Sequence, residues 1–296
     1  MIKKVLITGI DSFTGGYLSS YLEGFGYDVF GTSRKYESGK IYKCDLADIS
    51  SIARVIDLIR PDYIIHLAGI SSATHDNSAD FYIVNSIGSI NILDGLLNAR
   101  HFPSKVVMVS SAAAYGDQKT SWLNETLCCA PKNHYGASKY LMECLSKKYF
   151  SKLDIVIARP FNYTGIGQSC HFLIPKLVEH YRKRKDVVEL GNIDIVREFN
   201  DINFACAAYK RLMESAASGE VVNIASGRGI SIENIICMMN DIARYDIKVT
   251  VNPSLVRQGE IKTVIGSPNK LFSLVGEIHQ KEFSGTLRDM YATEQD

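Results

Sequence analysis

Tyr135 and Lys139 stand four apart, a spacing that puts both side chains on one face of a helix and lets them meet the same ligand. An ammonium beside a phenol favours the phenolate and lowers the phenol's pKa toward working pH. Such a tyrosine can exchange a proton with a substrate hydroxyl or carbonyl. The preceding apolar run, Lys105 to Val109, ends in Ser110-Ser111, and a serine there can hydrogen-bond the same oxygen as charge develops on it. Tyrosine and lysine at this spacing are common as exposed helix pairs, so the weight lies in the combination with Ser111 and with a glycine turn near the chain's start.

That turn is Thr8-Gly9-Ile10-Asp11-Ser12-Phe13-Thr14-Gly15-Gly16, at the end of the first apolar run. A glycine turn between a strand and a helix lets backbone N–H groups approach a pyrophosphate, and the helix N-terminus adds positive potential. The second strand ends in Ser33-Arg34 with no acid to bind a ribose 2′-hydroxyl. Ser33 and Arg34 suit a 2′-phosphate, which points to NADP(H) over NAD(H); a solvated surface arginine is the other reading. Asp45, after the third strand, either reaches the adenine or caps the next helix.

The elements that must position these residues alternate. Short apolar strands at Val5–Thr8, Tyr27–Gly31, Ile41–Cys44, Tyr63–Ala68, Lys105–Val109 and Asp154–Ala158 are separated by helical stretches at Tyr17–Glu23, Ile49–Ile59, about Asp80–Ala99 and about Asn133–Tyr149. Such alternation implies an α/β, Rossmann-type doubly wound parallel sheet with right-handed crossovers. The expected division is a dinucleotide-binding domain over 1–164, to which about 191–227 returns with a strand at Val221–Ile224. A smaller C-terminal α/β substrate lobe takes 165–190 and 228–296.

Composition narrows the class of ligand. With 33 basic and 32 acidic residues the formal net charge is +1, so no global field draws in nucleic acid or an anionic membrane. An anionic ligand must be held by local arginines and backbone amides. No segment offers the ~18 apolar residues of a membrane span, and the opening run lacks a signal peptide's cleavage site. Seven scattered cysteines without a C-x-x-C pair fit a reducing cytosol, with the adjacent Cys128-Cys129 incidental. His66, His75, His134 and His171 match no common metal spacing, so no metal is expected.

The chain resembles the extended short-chain dehydrogenase/reductases, the group of sugar-nucleotide epimerases, dehydratases and reductases. The resemblance is carried by Thr8-Gly9 with Gly15, His66-Leu67-Ala68-Gly69, Asn85 with Gly88 and Asn91, and Ser110-Ser111 with Tyr115-Gly116. Tyr135/Lys139, Arg159-Pro160-Phe161-Asn162, Arg197-Glu198-Phe199 and Arg257 complete it, in the family's order and over nearly the whole length. It implies that Ser111, Tyr135 and Lys139 are catalytic and that Lys139 also holds the nicotinamide ribose. It adds Gly9, Ser12, Phe13, Gly15, Leu46, Leu67, Ala68, Gly69 and Phe161 to Ser33, Arg34 and Asp45 as cofactor-binding residues. Ser72, Ser111, Asn162, Arg197 and Arg257 would contact substrate, with Asn162 and the two arginines on its diphosphate, a role suited to arginine's fork of donors. Ser12 departs from the pattern, which usually has a middle glycine there; its side chain must point away from the pyrophosphate or donate to it.

Sugar 4,6-dehydratases of this family carry an acid just after the catalytic Ser/Thr, and this chain has Ala112-Ala113-Ala114 instead. Dehydration is disfavoured. The segments Arg159–Gln168, Leu255–Arg257 and Gly266–Leu271 resemble GDP-4-keto-6-deoxymannose reductases. The expected reaction is NADPH-dependent reduction of the C4 keto group of a nucleotide-linked 4-keto-6-deoxyhexose, GDP-linked in preference to dTDP- or CDP-linked. Tyr135 protonates the oxygen, Ser111 orients it and Lys139 tunes the phenol. An NAD-dependent nucleotide-sugar 4-epimerase and a non-catalytic NAD(P)-sensing protein are the alternatives. Helices near Asp80–Ala99 and Asn133–Phe150 resemble the family's subunit-pairing helices, implying a homodimer, although a buried intramolecular face has the same pattern.

Overall fold

The computed structural model describes residues 2–71, 75–256 and 261–293. Seven parallel strands form the main sheet: β1 (Lys4–Thr8), β2 (Asp28–Ser33), β3 (Ile41–Lys43), β4 (Tyr63–His66), β5 (Lys105–Val109), β7 (Ile155–Pro160) and β11 (Glu220–Ile224). Their spatial order is β11-β7-β5-β4-β1-β2-β3. Val5 and Ile7 face one side of the sheet and Leu6 the other, and all are buried, as in a sheet covered on both faces. Over one face lie α1 (Phe13–Gly24) through Leu18 and Leu22, and α7 (Ile202–Glu214) through Phe204, Ala208 and Leu212. Over the other lie α2 (Ile49–Ile59), α4 (Gly88–Asn98) and α5 (His134–Ser146), through Ile52, Ile56, Leu93 and Met142. The strand order reverses between β1 and β4, and in open α/β sheets that crevice, at the strands' carboxyl ends, is where ligands bind.

The stretch expected as one helix from about Asp80 is a short α3 (Ser78–Asp80), a π-helical segment Phe81–Ile87 and then α4. The wider turn brings the consecutive residues Asn85 and Ser86 both inside, where Asn85 Nδ2 reaches Ser138 Oγ at 3.2 Å and Ser86 Oγ donates to Ser138 O at 2.8 Å. Helix α1 begins four residues earlier than its apolar pattern, because Ser12 caps it.

The second sheet runs β12 (Gly229–Ser231), β10 (Val196–Asp201), β14 (Thr263–Gly266), β6 (Trp122–Leu123), with β8 (Asn162–Thr164) also on β10. Beside it, α6 (Leu173–Arg182), α8 (Ile232–Ala243) and α10 (Phe283–Ala292) share a core with the strand pair β9 (Val187–Leu190) and β13 (Lys248–Val251). The segment about 191–227 divides at Asp201: β10 lies in the second sheet, while α7 and β11 join the first. Helix α9 (Asn269–Val275), inside 228–296, places Leu271 in the main core. Among the described residues no helix is long and apolar enough to cross a membrane.

Candidate active site

The floor of the crevice is built from glycines. Gly9 leaves β1 with φ +69°, and a Cβ on it would lie 2.9 Å from the Cα of Ala68, just beyond β4. A Cβ on Gly15 would lie 2.5 Å from Gly9 O. Neither position accepts a side chain, so the turn is compressed against its own helix and against the next strand. The Gly9 and Ile10 amides both donate to Thr32 O, at 3.0 and 3.2 Å, which fixes the turn to β2. Ser12 Oγ accepts from Gly15 N at 3.1 Å. The departure from a middle glycine is thereby accommodated: the hydroxyl turns onto its own helix. The first-turn amides of Phe13 and Thr14, which no helical carbonyl can pair, are left for an anion. These residues fit a dinucleotide pyrophosphate.

Beneath the turn runs a buried polar chain. Ser89 Oγ donates to Asn85 O at 2.7 Å, so its oxygen receives the proton on His66 Nε2, 2.8 Å away. His66 Nδ1 then accepts from Thr8 Oγ1 at 2.7 Å, while Thr8 Oγ1 takes the Ala68 amide at 3.2 Å. Burial holds His66 neutral, its pKa pushed down to about 3. This histidine ties β1 to β4 and fixes the Leu67-Ala68-Gly69 loop. Asn85 clamps the far end of that loop through Ile70, with Oδ1 accepting from its N–H at 2.7 Å and Nδ2 donating to its carbonyl at 3.0 Å. Asn91 Nδ2 holds Leu46 O at 2.7 Å. Asp45 is exposed and its Oδ1 accepts from Ala47 N at 3.0 Å; the cap of α2 is Asp48.

Of the two serines after β5, only Ser111 is available for chemistry. Ser110 is buried and donates to Glu143 Oε1 at 2.5 Å, beside the Arg159–Glu143 ion pair. Ser111 caps the 3₁₀ turn Ala112–Tyr115 by accepting from Ala113 N at 3.1 Å, and its hydroxyl pulls the pKa of the Tyr135 phenol down. Asn133 caps α5 through Gly136 N at 2.7 Å and starts the helix on which Tyr135 and Lys139 sit. Lys139 is 5% exposed, and its Nζ donates to Val109 O at 2.9 Å. The ammonium would lie 3.3 Å from a Cβ on Gly69, so the absence of a side chain there leaves room beside it.

The electrostatics differ from the sequence expectation. Burial pushes the Tyr135 phenol up to about 12, with the Ser111 hydrogen bond acting in the opposite direction. Burial also lowers Lys139 to about 8, opposed by Glu143. The lysine therefore does not hold the phenol low in this arrangement; at neutral pH Tyr135 carries its proton. The arrangement can deliver a proton to an oxygen placed between Ser111 and Tyr135.

The remaining expected residues are distributed unevenly. Phe13 lines the turn and packs edge-on against Tyr17 at 5.2 Å. Phe161, expected at the cofactor, is 4% exposed, in a small core with Tyr115, Leu123 and Ala225. A Cβ on Gly266 would lie 2.5 Å from that ring, so the side chain seals the joint between the two sheets. Asn162 is exposed and donates to Glu198 O at 3.0 Å. Arg197 Nη1 donates to Val196 O at 2.8 Å and Lys262 O at 3.2 Å. Ser72 and Arg257 lie outside the described residues. Ser33 is buried, with its hydroxyl donating to Asp11 Oδ2 at 3.0 Å and accepting from Lys35 N at 3.1 Å; Arg34 is exposed.

Two residues that sequence reasoning passed over are central to this geometry. Asp11 was read only as part of the turn. Glu198, read only as part of a motif, is completely buried and accepts four hydrogen bonds, from Asn200, Ser226 (twice) and Gly266.

The sequence profile of the NAD dependent epimerase/dehydratase family matches residues 5–225. A GDP-6-deoxy-D-talose 4-dehydrogenase of Aggregatibacter actinomycetemcomitans is 34% identical, over 97% of each chain. A GDP-6-deoxy-D-mannose reductase of Pseudomonas aeruginosa is 29% identical, over 93% of this chain and 92% of its own. The crystallised Pseudomonas aeruginosa RMD, in complex with NADPH, superposes with a TM-score of 0.87 at 27% identity, covering 99% of this chain and 97% of that one. With a doubly wound sheet, a glycine turn at its switch point and Ser111, Tyr135 and Lys139 gathered at one end, this oxidoreductase belongs to the NAD dependent epimerase/dehydratase family.

Proposed function

We propose that the chain reduces the C4 keto group of a GDP-linked 4-keto-6-deoxyhexose, and that the reverse reaction is oxidation of the C4 hydroxyl. The feature that carries this is Ser111 at the carboxyl end of β5, acting on a Tyr135 phenol that keeps its proton at neutral pH. The names of the two relatives, one a 4-dehydrogenase and one a reductase of GDP-6-deoxyhexoses, support the nucleotide and the carbon. Alanines at 112–114 supply no acid for dehydration.

When bound, the reduced nicotinamide supplies the hydride. Tyr135 gives its proton to O4 as negative charge grows there, and Ser111 donates to the same oxygen. Lys139, on the Val109 carbonyl and beside Gly69, is the residue we assign to a ribose hydroxyl. Asn162 and Arg197 lie on adjoining strands of the second sheet, and we assign them to the substrate diphosphate. Of the two residues expected at a 2′-phosphate only Arg34 is left to donate to one, because the only proton of Ser33 goes to Asp11.

Exposed Ile83 and Ile87 on the π-helical segment and Leu141 on neighbouring α5 form an apolar patch, which we read as the homodimer surface. The deciding experiment incubates the protein with reduced dinucleotide and GDP-, dTDP- or CDP-linked 4-keto-6-deoxyhexose and identifies the sugar formed. A C4-reduced GDP-sugar with equimolar dinucleotide oxidation is the expected result. Interconversion of C4 epimers with no net oxidation would replace this reading with a 4-epimerase.

A further inference from the structure

The end of β2 carries no acid in sequence, yet one is present there in space. Asp11 belongs to the glycine turn, 22 positions before Ser33, and its Oδ2 accepts the Ser33 hydroxyl at 3.0 Å. Two features of the turn fix it there. The Gly9 and Ile10 amides are bonded to Thr32 O, one residue before Ser33. Ile10 packs so tightly on Gly31 that a Cβ on that glycine would lie 2.3 Å from Ile10 Cγ2. Ser33 is itself 2% exposed; its one proton goes to Asp11, and its oxygen accepts a second bond from Lys35 N at 3.1 Å, so it has no proton left to offer. Asp11 is exposed toward solvent, and a carboxylate with one bond on Oδ2 keeps Oδ1 free to accept another.

In this fold the end of the second strand meets the adenosine ribose. An acid there accepts the 2′-hydroxyl, and a cation there accommodates a 2′-phosphate. We propose that Asp11, held by Ser33, is the ribose-reading acid of this protein and selects NAD(H) over NADP(H). The assignment rests on the reading that the crevice binds a dinucleotide. A 2′-hydroxyl donates to the carboxylate, whereas a 2′-phosphate brings two negative charges against it and meets a hydroxyl already spent. Arg34 opposes this, but it is an exposed, flexible side chain that must be ordered to act, while the carboxylate is already fixed.

The test is a titration of the purified protein with NADH and with NADPH, followed by cofactor fluorescence without sugar substrate. Asp11→Asn and Asp11→Ser are run alongside, with thermal melts to establish that each variant is folded. The expected result is at least about tenfold tighter binding of NADH by the wild type, with the ratio falling about tenfold or more in either variant. Equal or tighter binding of NADPH by the wild type overturns the assignment, as does a ratio that neither folded variant changes. Failure of both dinucleotides to bind would overturn the dinucleotide reading as well, so the two failures are separable.

Discussion

Replacing Glu198 by glutamine should weaken the fold and the substrate side of the site together. The carboxylate is completely buried, and each of its oxygens faces donors. Oε1 accepts from Asn200 Nδ2 at 2.9 Å, Ser226 N at 2.5 Å and Ser226 Oγ at 3.1 Å, and Oε2 from Gly266 N at 3.0 Å. Burial raises the pKa of Glu198 and these donors lower it. A set of partners that mostly donate has little use for a protonated acid. In Glu198→Gln the amide oxygen can keep the three-donor side only if the NH2 points at the Gly266 N–H. One hydrogen bond to a charged group, worth about 1.5–3 kcal/mol, becomes a donor–donor contact, and the other three lose charge assistance. Relief of a buried charge returns part of this, so the net loss is about 2–3 kcal/mol. At about 2–4 °C per kcal/mol for a chain of this size, the melting temperature falls by roughly 5–10 °C. Asn162 rests on the Glu198 carbonyl and Arg197 is adjacent, so KM for the nucleotide sugar rises while dinucleotide affinity is unchanged. Thermal denaturation followed by circular dichroism measures the first effect and steady-state kinetics the second. A variant as stable as the wild type would mean that the group is already neutral, and the account of the joint between the sheets would be wrong.

Tyr135→Phe should keep nucleotide-sugar affinity and lose about 10²-fold or more in turnover, read by titration and by initial rates. Because Tyr135 is pushed up to about 12, C4 reduction should hold steady from about pH 6 to about pH 8 while oxidation of the C4 alcohol climbs over the same range; an oxidation rate flat with pH argues against this tyrosine as the proton carrier. Ser12→Ala removes the α1 cap and should cost about 1 kcal/mol in urea denaturation, whereas Ser12→Gly should cost only a few tenths; equal effects would show that the Ser12–Gly15 bond contributes nothing. Ile87→Glu should convert a dimer to a monomer in sedimentation velocity, and an unchanged sedimentation coefficient would remove this face from the interface.

What could be read from the chain followed the range of the forces involved. The main-sheet strands are buried on both faces, so they stand out as unbroken apolar runs, and the glycine turn is a local backbone requirement at Gly9 and Gly15. The second sheet was nearly invisible: Trp122–Leu123 and Asn162–Thr164 are two and three residues long, and their pairing is set by partners far along the chain. The core around Phe161 is hidden for the same reason, since motif position gives its backbone location but not which side of the strand faces the joint.

Ser33 and Asp11 sharpen the point. In sequence, the stretch immediately after β2 offers Ser33-Arg34 and no acid, and the missing carboxylate points to a phosphate site. Absence at one position carries that inference only if no other segment can reach the same place. Here the glycine turn does reach it, because a turn compressed against β2 by Gly31 and bonded to Thr32 must bring its next residue to the strand's end. That next residue is an aspartate, so the charge at the end of β2 is set by the turn as much as by the strand.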